Sequence, residues 1–140
     1  KNSNKLGLLI NKPEGGFWGC PVGSNYSFID FLLKDDNFSE TELFSTTRTY
    51  ILNVDTPKLY YIQDIKDLAQ CPTVKCKGGP YIDFEKLSLS YDGIFLTDKG
   101  YETHKNVSFP VTRAGSLLAW SCSSVLLFNH KLLVDYYANR

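Results

Sequence analysis

A mostly β domain, an antiparallel sandwich or barrel with at most one or two short helices, is the architecture this sequence predicts. Three observations carry that expectation. Apolar and polar residues alternate with period two in several short runs, as in strands with one buried face. Turn signals such as Asp92-Gly93 separate the runs, at the spacing of roughly 8–12 residues that sandwiches and barrels show. Aromatic residues make up 14% of the chain, and these favour a pleated, half-buried surface.

Taken in chain order, residues 5–10 and 28–33 are the first short strand candidates. Residues 43–54 are rich in Thr, Tyr, Phe and Ile and read as one long strand. Residues 58–63 follow as a shorter one. Residues 64–70 fit one or two helical turns, with Ile65, Leu68 and Ala69 facing inward and Asp64 placed to favour the dipole. Leu87, Leu89 and Tyr91 then alternate with Lys86, Ser88 and Ser90, the pattern of a half-buried strand. Asp92-Gly93 follows at once and leads into Ile94-Phe95-Leu96, a hairpin signal because a two-residue turn needs positive φ. Residues 107–112 and 116–120 add two short candidates. A second hairpin is expected from 125–128 through Asn129-His130 to 132–137.

The chain has 140 residues, the size of one domain, and residues 1–140 read as a single β-rich unit. A chain of this length buries roughly two thirds of its unfolded surface. It contains no Met and starts at Lys1, so the expectation is a fragment of a larger secreted or membrane-anchored glycoprotein. Residues 5–10 are too short for the apolar core of a signal peptide. The most apolar stretch, 114–128, is interrupted by Ser121, Cys122, Ser123 and Ser124 and falls short of the roughly 20 residues that span a bilayer. No direct membrane insertion by this segment is expected. Lys plus Arg and Asp plus Glu are 15 each, and that balance argues against nucleic acid or an anionic membrane as partner.

Four cysteines, Cys20, Cys71, Cys76 and Cys122, are present in an even count that suits disulfides. The expected pairing is a small Cys71–Cys76 loop beside the Gly78-Gly79-Pro80 turn and a long-range Cys20–Cys122 bridge. Three Asn-x-Ser sequons, at Asn25, Asn37 and Asn106, point to the same oxidising, secretory compartment. The protein is therefore expected to be extracellular, secreted or part of an ectodomain of a membrane or virion-surface protein.

Chemistry leaves little trace. The chain has no G-x-S-x-G elbow, H-E-x-x-H, P-loop or G-x-G-x-x-G, so no cofactor is expected. Asp35-Asp36 lacks the spacing of a Ca²⁺ loop, and Cys71 with Cys76 lacks the second ligand pair of structural zinc; no metal is expected. His104 and His130 read as surface residues, and on a strand Glu102 would share a face with His104 as a surface pair. Asp30, Asp64, Asp67 and Asp83 form no carboxylate pair in sequence.

Gly15-Gly16-Phe17-Trp18-Gly19-Cys20-Pro21 is the most suggestive segment, because small neighbours leave large rings accessible. Phe17, Trp18 and the nearby Tyr26 are the candidate binding residues. Tyr60 and Tyr61 are adjacent on a strand, so one of them must face outward. The preferred reading is an extracellular module that recognises a protein receptor or a glycan, rather than an enzyme. The alternatives are a small β-fold hydrolase with a carboxylate/His site assembled in space, and a structural domain packing against sister domains.

Overall fold

A computed structural model describes residues 11, 13, 15–26, 50–52, 58–76, 79–105, 117, 120, 122–129 and 133–135. Strands β1 (Phe17–Gly19), β2 (Tyr50–Leu52) and β3 (Leu59–Ile62) come first. Helix α1 (Ile65–Ala69) follows, then strands β4 (Thr73–Cys76) and β5 (Gly79–Ile82) and helix α2 (Phe84–Ser88). Strand β6 (Gly93–Leu96), helix α3 (Asp98–His104), and strands β7 (Ser124–Leu127) and β8 (Leu133–Asp135) complete the order.

The main sheet has four strands in the order β1-β7-β6-β3. β1 and β6 both run antiparallel to β7, while β3 runs parallel to β6. A parallel pair cannot be closed by a hairpin and needs a crossover. Here α1, the β4–β5 hairpin and α2 supply it. Two further two-stranded pairs, β2–β8 and β4–β5, complete the described strands.

Among the described residues the protein is strand-rich, the sheets are open, and three short helices stand where one or two were expected. The barrel expectation is corrected: the described strands do not close on themselves. The mostly-β expectation holds in its coarse form, since strands predominate, but the crossover sets two five-residue helices beside the β4–β5 pair and the described sheets do not stack as a clear sandwich.

Local chemistry explains the first two helices. Asp64 caps α1: its side chain accepts from the Lys66 and Asp67 amides, and the Asp67 carboxylate accepts from the Asp64 amide in return. Leu68 is fully buried, Ile65 is half-buried, and Ala69 is exposed rather than inward as expected. Asp83 caps α2 by accepting the Lys86 amide. Phe84 and Leu87, three apart, are buried, while Leu89 is 85% exposed. The period is therefore helical, and the strand expected through Leu87, Leu89 and Tyr91 is not formed.

Asp92-Gly93 is likewise no hairpin turn. The Asp92 amide donates to the Lys58 carbonyl, and its carboxylate accepts the Lys58 amide, so the residue ties β6 to the start of β3. Gly93 is required by close approach: a Cβ there would lie 2.4 Å from the Leu126 carbonyl oxygen of the neighbouring strand. The second expected hairpin is also absent, since β7 pairs with β1 and β6 while β8 pairs with β2.

The expected strand 58–63 is found as β3. Of 116–120 only Leu117 and Trp120 are described, both buried, with the Trp120 amide donating to the Leu117 carbonyl at 2.9 Å; the rest of that candidate lies outside the described residues. Only 50–52 of the long strand candidate is described, as β2. The candidates at 5–10, 28–33 and 107–112 lie outside the described residues.

Ile62, Ile94, Leu96 and Leu126 from the main sheet pack with Leu68, Ile82 and Trp120 to form the core. Asn11 stitches its rim from within. Its side-chain oxygen accepts the Ile82 amide at 2.9 Å, and its carbonyl accepts the Trp120 indole N–H at 2.7 Å. This satisfies polar groups that would be costly if buried alone.

Candidate functional site

The segment 17–26 leaves edge strand β1 and runs across the start of β7 to the N-terminus of α3. Gly15 and Gly16, both with φ near +80° (82° and 79°), bring the chain onto the sheet. At Gly16 a Cβ would also meet the Leu126 side chain at 2.7 Å. Trp18 lies opposite Leu126 and Phe17 opposite Leu127. Adjacent strand residues face opposite ways, so the two expected contact rings are divided between the faces of the sheet. Phe17 is half-buried.

Trp18 is 37% exposed. It rests edge-on against buried Trp120, with centroids 4.8 Å apart and planes at 76°. The hydrogen bond from the Trp120 indole to Asn11 fixes the ring below it.

Beyond β1, the Ser24 amide donates to the Pro21 carbonyl, closing a turn through Gly23 at φ 81°. Tyr26 is half-buried against Tyr101 of α3, centroids 4.8 Å apart, with the Lys105 ammonium 5.3 Å from its ring centre.

Asp98 holds this segment to the rest of the fold. Its carboxylate accepts the Ser123 hydroxyl at 2.6 Å, the Ser24 hydroxyl, and the Asn25 amide at 2.9 Å. These donors, Ser123 first and Ser24 next, favour the ionised form and hold its pKa below the usual carboxylate value. The Ser123 amide donates in turn to the Tyr26 carbonyl. Beside this knot, the Cys20 and Cys122 sulfurs approach to 3.3 Å, near but not bonded, so the bridge expected between them is not closed in this structure.

The other predicted residues are more dispersed. Asn25 has an exposed side chain; Asn37, Asn106, His130, Asp30, Asp35 and Asp36 lie outside the described residues. Cys71 is buried with its thiol against the Asp67 carbonyl at 3.6 Å, and burial pushes its pKa up to about 11. The expected Cys71–Cys76 bridge is not formed: Cys71 is a free thiol, and the strand Thr73–Cys76, extended over roughly 10 Å, carries the chain away from it. Tyr61 is the outward member of the tyrosine pair, 52% exposed and tilted against Phe95 at 5.4 Å. Tyr60 turns to the core and donates its hydroxyl to the Asp67 carbonyl. Burial and the neighbouring Cys71 raise its pKa.

His104 departs most from expectation. It sits on a helix, where Glu102 two residues away faces elsewhere, and it is only 1% exposed. Among the described residues neither ring nitrogen has a hydrogen-bond partner. Desolvation lowers its pKa, against an opposing pull from the Asp64 backbone, Asp64 and Asp67. Among the described residues no group of three His, Cys, Asp or Glu side chains is placed to hold a metal ion, and no helix is long and apolar enough to cross a membrane.

No protein-family model, curated protein or solved structure matches the chain.

Proposed function

We propose that the domain is an extracellular recognition module that engages a protein partner through the aromatic segment 17–26. The observation that carries this reading is Trp18, which is 37% exposed while seated on a fixed, buried Trp120. A large ring held in one orientation loses little entropy on binding, and such rings dominate interface energetics.

The polar groups nearby favour a protein surface over a sugar. Sugar recognition needs hydroxyl and carboxylate groups aimed outward, whereas Ser24, Ser123 and Asp98 are engaged with one another. A catalytic reading is less well supported. His104 is closed off from solvent, and Asp64 and Asp67 are occupied in the cap of α1. A general base must reach its substrate's proton.

The test is Trp18→Ala against panels of receptor ectodomains and glycans. Loss of the Trp120 ring contact costs about 0.5–1.5 kcal/mol beyond the area that Trp18 buries, so circular dichroism and a urea midpoint establish that the variant is folded before binding is compared. Binding to a protein should weaken by roughly 30-fold or more, as at an interface hot spot. Unchanged protein binding by the folded variant, or binding confined to glycans, refutes the assignment.

The main sheet offers a second surface. Tyr61, Phe95 and Val125 lie in one cross-strand row on the face away from the core. That row is the natural contact for a domain packing against sister domains.

A further inference from the structure

We propose that Cys20 and Cys122 form a reversible dithiol–disulfide site, oxidised by a small-molecule disulfide, that clamps the segment 17–26 onto the start of β7. The site concerns the segment used in the recognition reading, but its tests need no partner, so either can fail without the other.

Geometry selects the pair. The two sulfurs are 3.3 Å apart although 102 residues separate them in sequence. Forming the S–S bond requires closing a gap of about 1.2 Å, within the reach of side-chain rotation. Access is asymmetric: Cys20 is half-buried, whereas Cys122 is only 5% exposed. Cys71, also 5% exposed, lies instead against the Asp67 carbonyl.

That asymmetry sets the order of events. The Cys20 thiolate attacks oxidised glutathione, forming a mixed disulfide and releasing one glutathione thiolate. The Cys122 thiolate then attacks the Cys20 sulfur and expels the second glutathione. Two protein thiols and one glutathione disulfide thus become one protein disulfide and two glutathione thiols, a balanced two-electron exchange.

The consequence is mechanical. Residues 20–26 are already tied to β7 and α3 by the Ser24, Asn25 and Ser123 hydrogen bonds. Trp18 precedes Cys20 by two residues on the edge strand. A covalent tie at Cys20 joins these anchors and removes the opening motion that would let the segment peel from β7.

The experiment takes the whole reduced chain through a series of glutathione redox ratios, followed by alkylation, intact mass and peptide mapping. The expected product is lighter by about 2 Da before alkylation, with Cys20 and Cys122 alone protected and bridged to each other. Amide exchange across 18–26 should then slow by about tenfold relative to the reduced chain. Cys20→Ser should show no such slowing. A glutathione adduct persisting on Cys20, a bridge to Cys71 or Cys76, or no reaction overturns the site. A Cys20–Cys122 bridge that leaves exchange unchanged overturns the clamp.

Discussion

Gly100 sits inside α3, and replacing it by alanine sets two opposite effects against each other. In a free helix, Gly→Ala stabilises by up to about 1 kcal/mol. In this fold the added methyl would stand 2.0 Å from the Ile62 carbonyl oxygen, 2.9 Å from its carbonyl carbon and 2.9 Å from the Leu96 Cδ1. Carbon and carbonyl oxygen settle no closer than about 3.3 Å. The helix must therefore move away from the end of β3 by more than about 1 Å.

Overpacking of this kind costs roughly 1–3 kcal/mol. The same movement weakens the hydrogen bond from the Thr97 amide to the Ile62 carbonyl, 3.2 Å in the structure, for about another 1 kcal/mol. The steric and hydrogen-bond losses outweigh the propensity gain, and the expected net destabilisation of Gly100→Ala is about 2 kcal/mol. Urea unfolding followed by tryptophan fluorescence measures it as a lower midpoint at unchanged slope. A variant as stable as the parent, or more stable, would show that α3 does not dock on β3 as described. The placement of Asp98 would fall with it.

The remaining predictions address other parts of the molecule. His104 has a lowered pKa in the folded state, so the unfolded chain binds the extra proton, and stability should fall as pH drops below about 6.5, by at most about 1.4 kcal/mol per pH unit. His104→Leu should flatten that limb in urea titrations run at successive pH values, and equal slopes in both proteins would contradict the burial. Asp98 also has a lowered folded pKa, so its stabilising effect is present above the usual carboxylate pKa and lost as pH falls through the lower value; Asp98→Asn should remove that separate acid limb alone. If the Tyr61 row is an inter-domain contact, sedimentation velocity should show concentration-dependent association that Tyr61→Lys abolishes, and a monomer at all concentrations rules that contact out.

What could be read from the sequence was what local chemistry specifies. α1 was legible because Asp64 stands where a cap belongs and Leu68 follows at the right spacing. β3 was legible as a short apolar, aromatic run. The stretch 84–91 misled because Leu87, Leu89 and Tyr91 satisfy a two-residue period by coincidence, whereas Ile94-Phe95-Leu96 was legible as the strand β6. The better signals were Asp83 ahead of Phe84 and Leu87, and Thr97-Asp98, a capping residue followed by an acid. Gly100 lowers the apparent helix propensity of that second stretch, and only the close approach to Ile62 explains its presence. β8 could not be assigned to β2 from local pattern, because the partners are far apart in the chain.

The site was legible only in its aromatic part. Gly-flanked Trp18 stood out by composition, but the residues that position the segment did not. Ser24 and Ser123 reach Asp98 across 74 and 25 residues of sequence, and no spacing rule joins them. Their arrangement also limits what the site can do. A carboxylate that accepts two hydroxyls and a backbone amide is stabilised as an anion, which makes it a poor proton acceptor. The hydroxyls that donate to it are correspondingly poor nucleophiles, since activation needs a base able to take the proton. The knot therefore serves position rather than reaction. It holds the turn through Gly23 against α3 and β7, while Trp18, fixed from below by Trp120 and Asn11, presents apolar surface that the fold does not cover. Binding by an ordered aromatic anchor follows from that division of roles more directly than chemistry does.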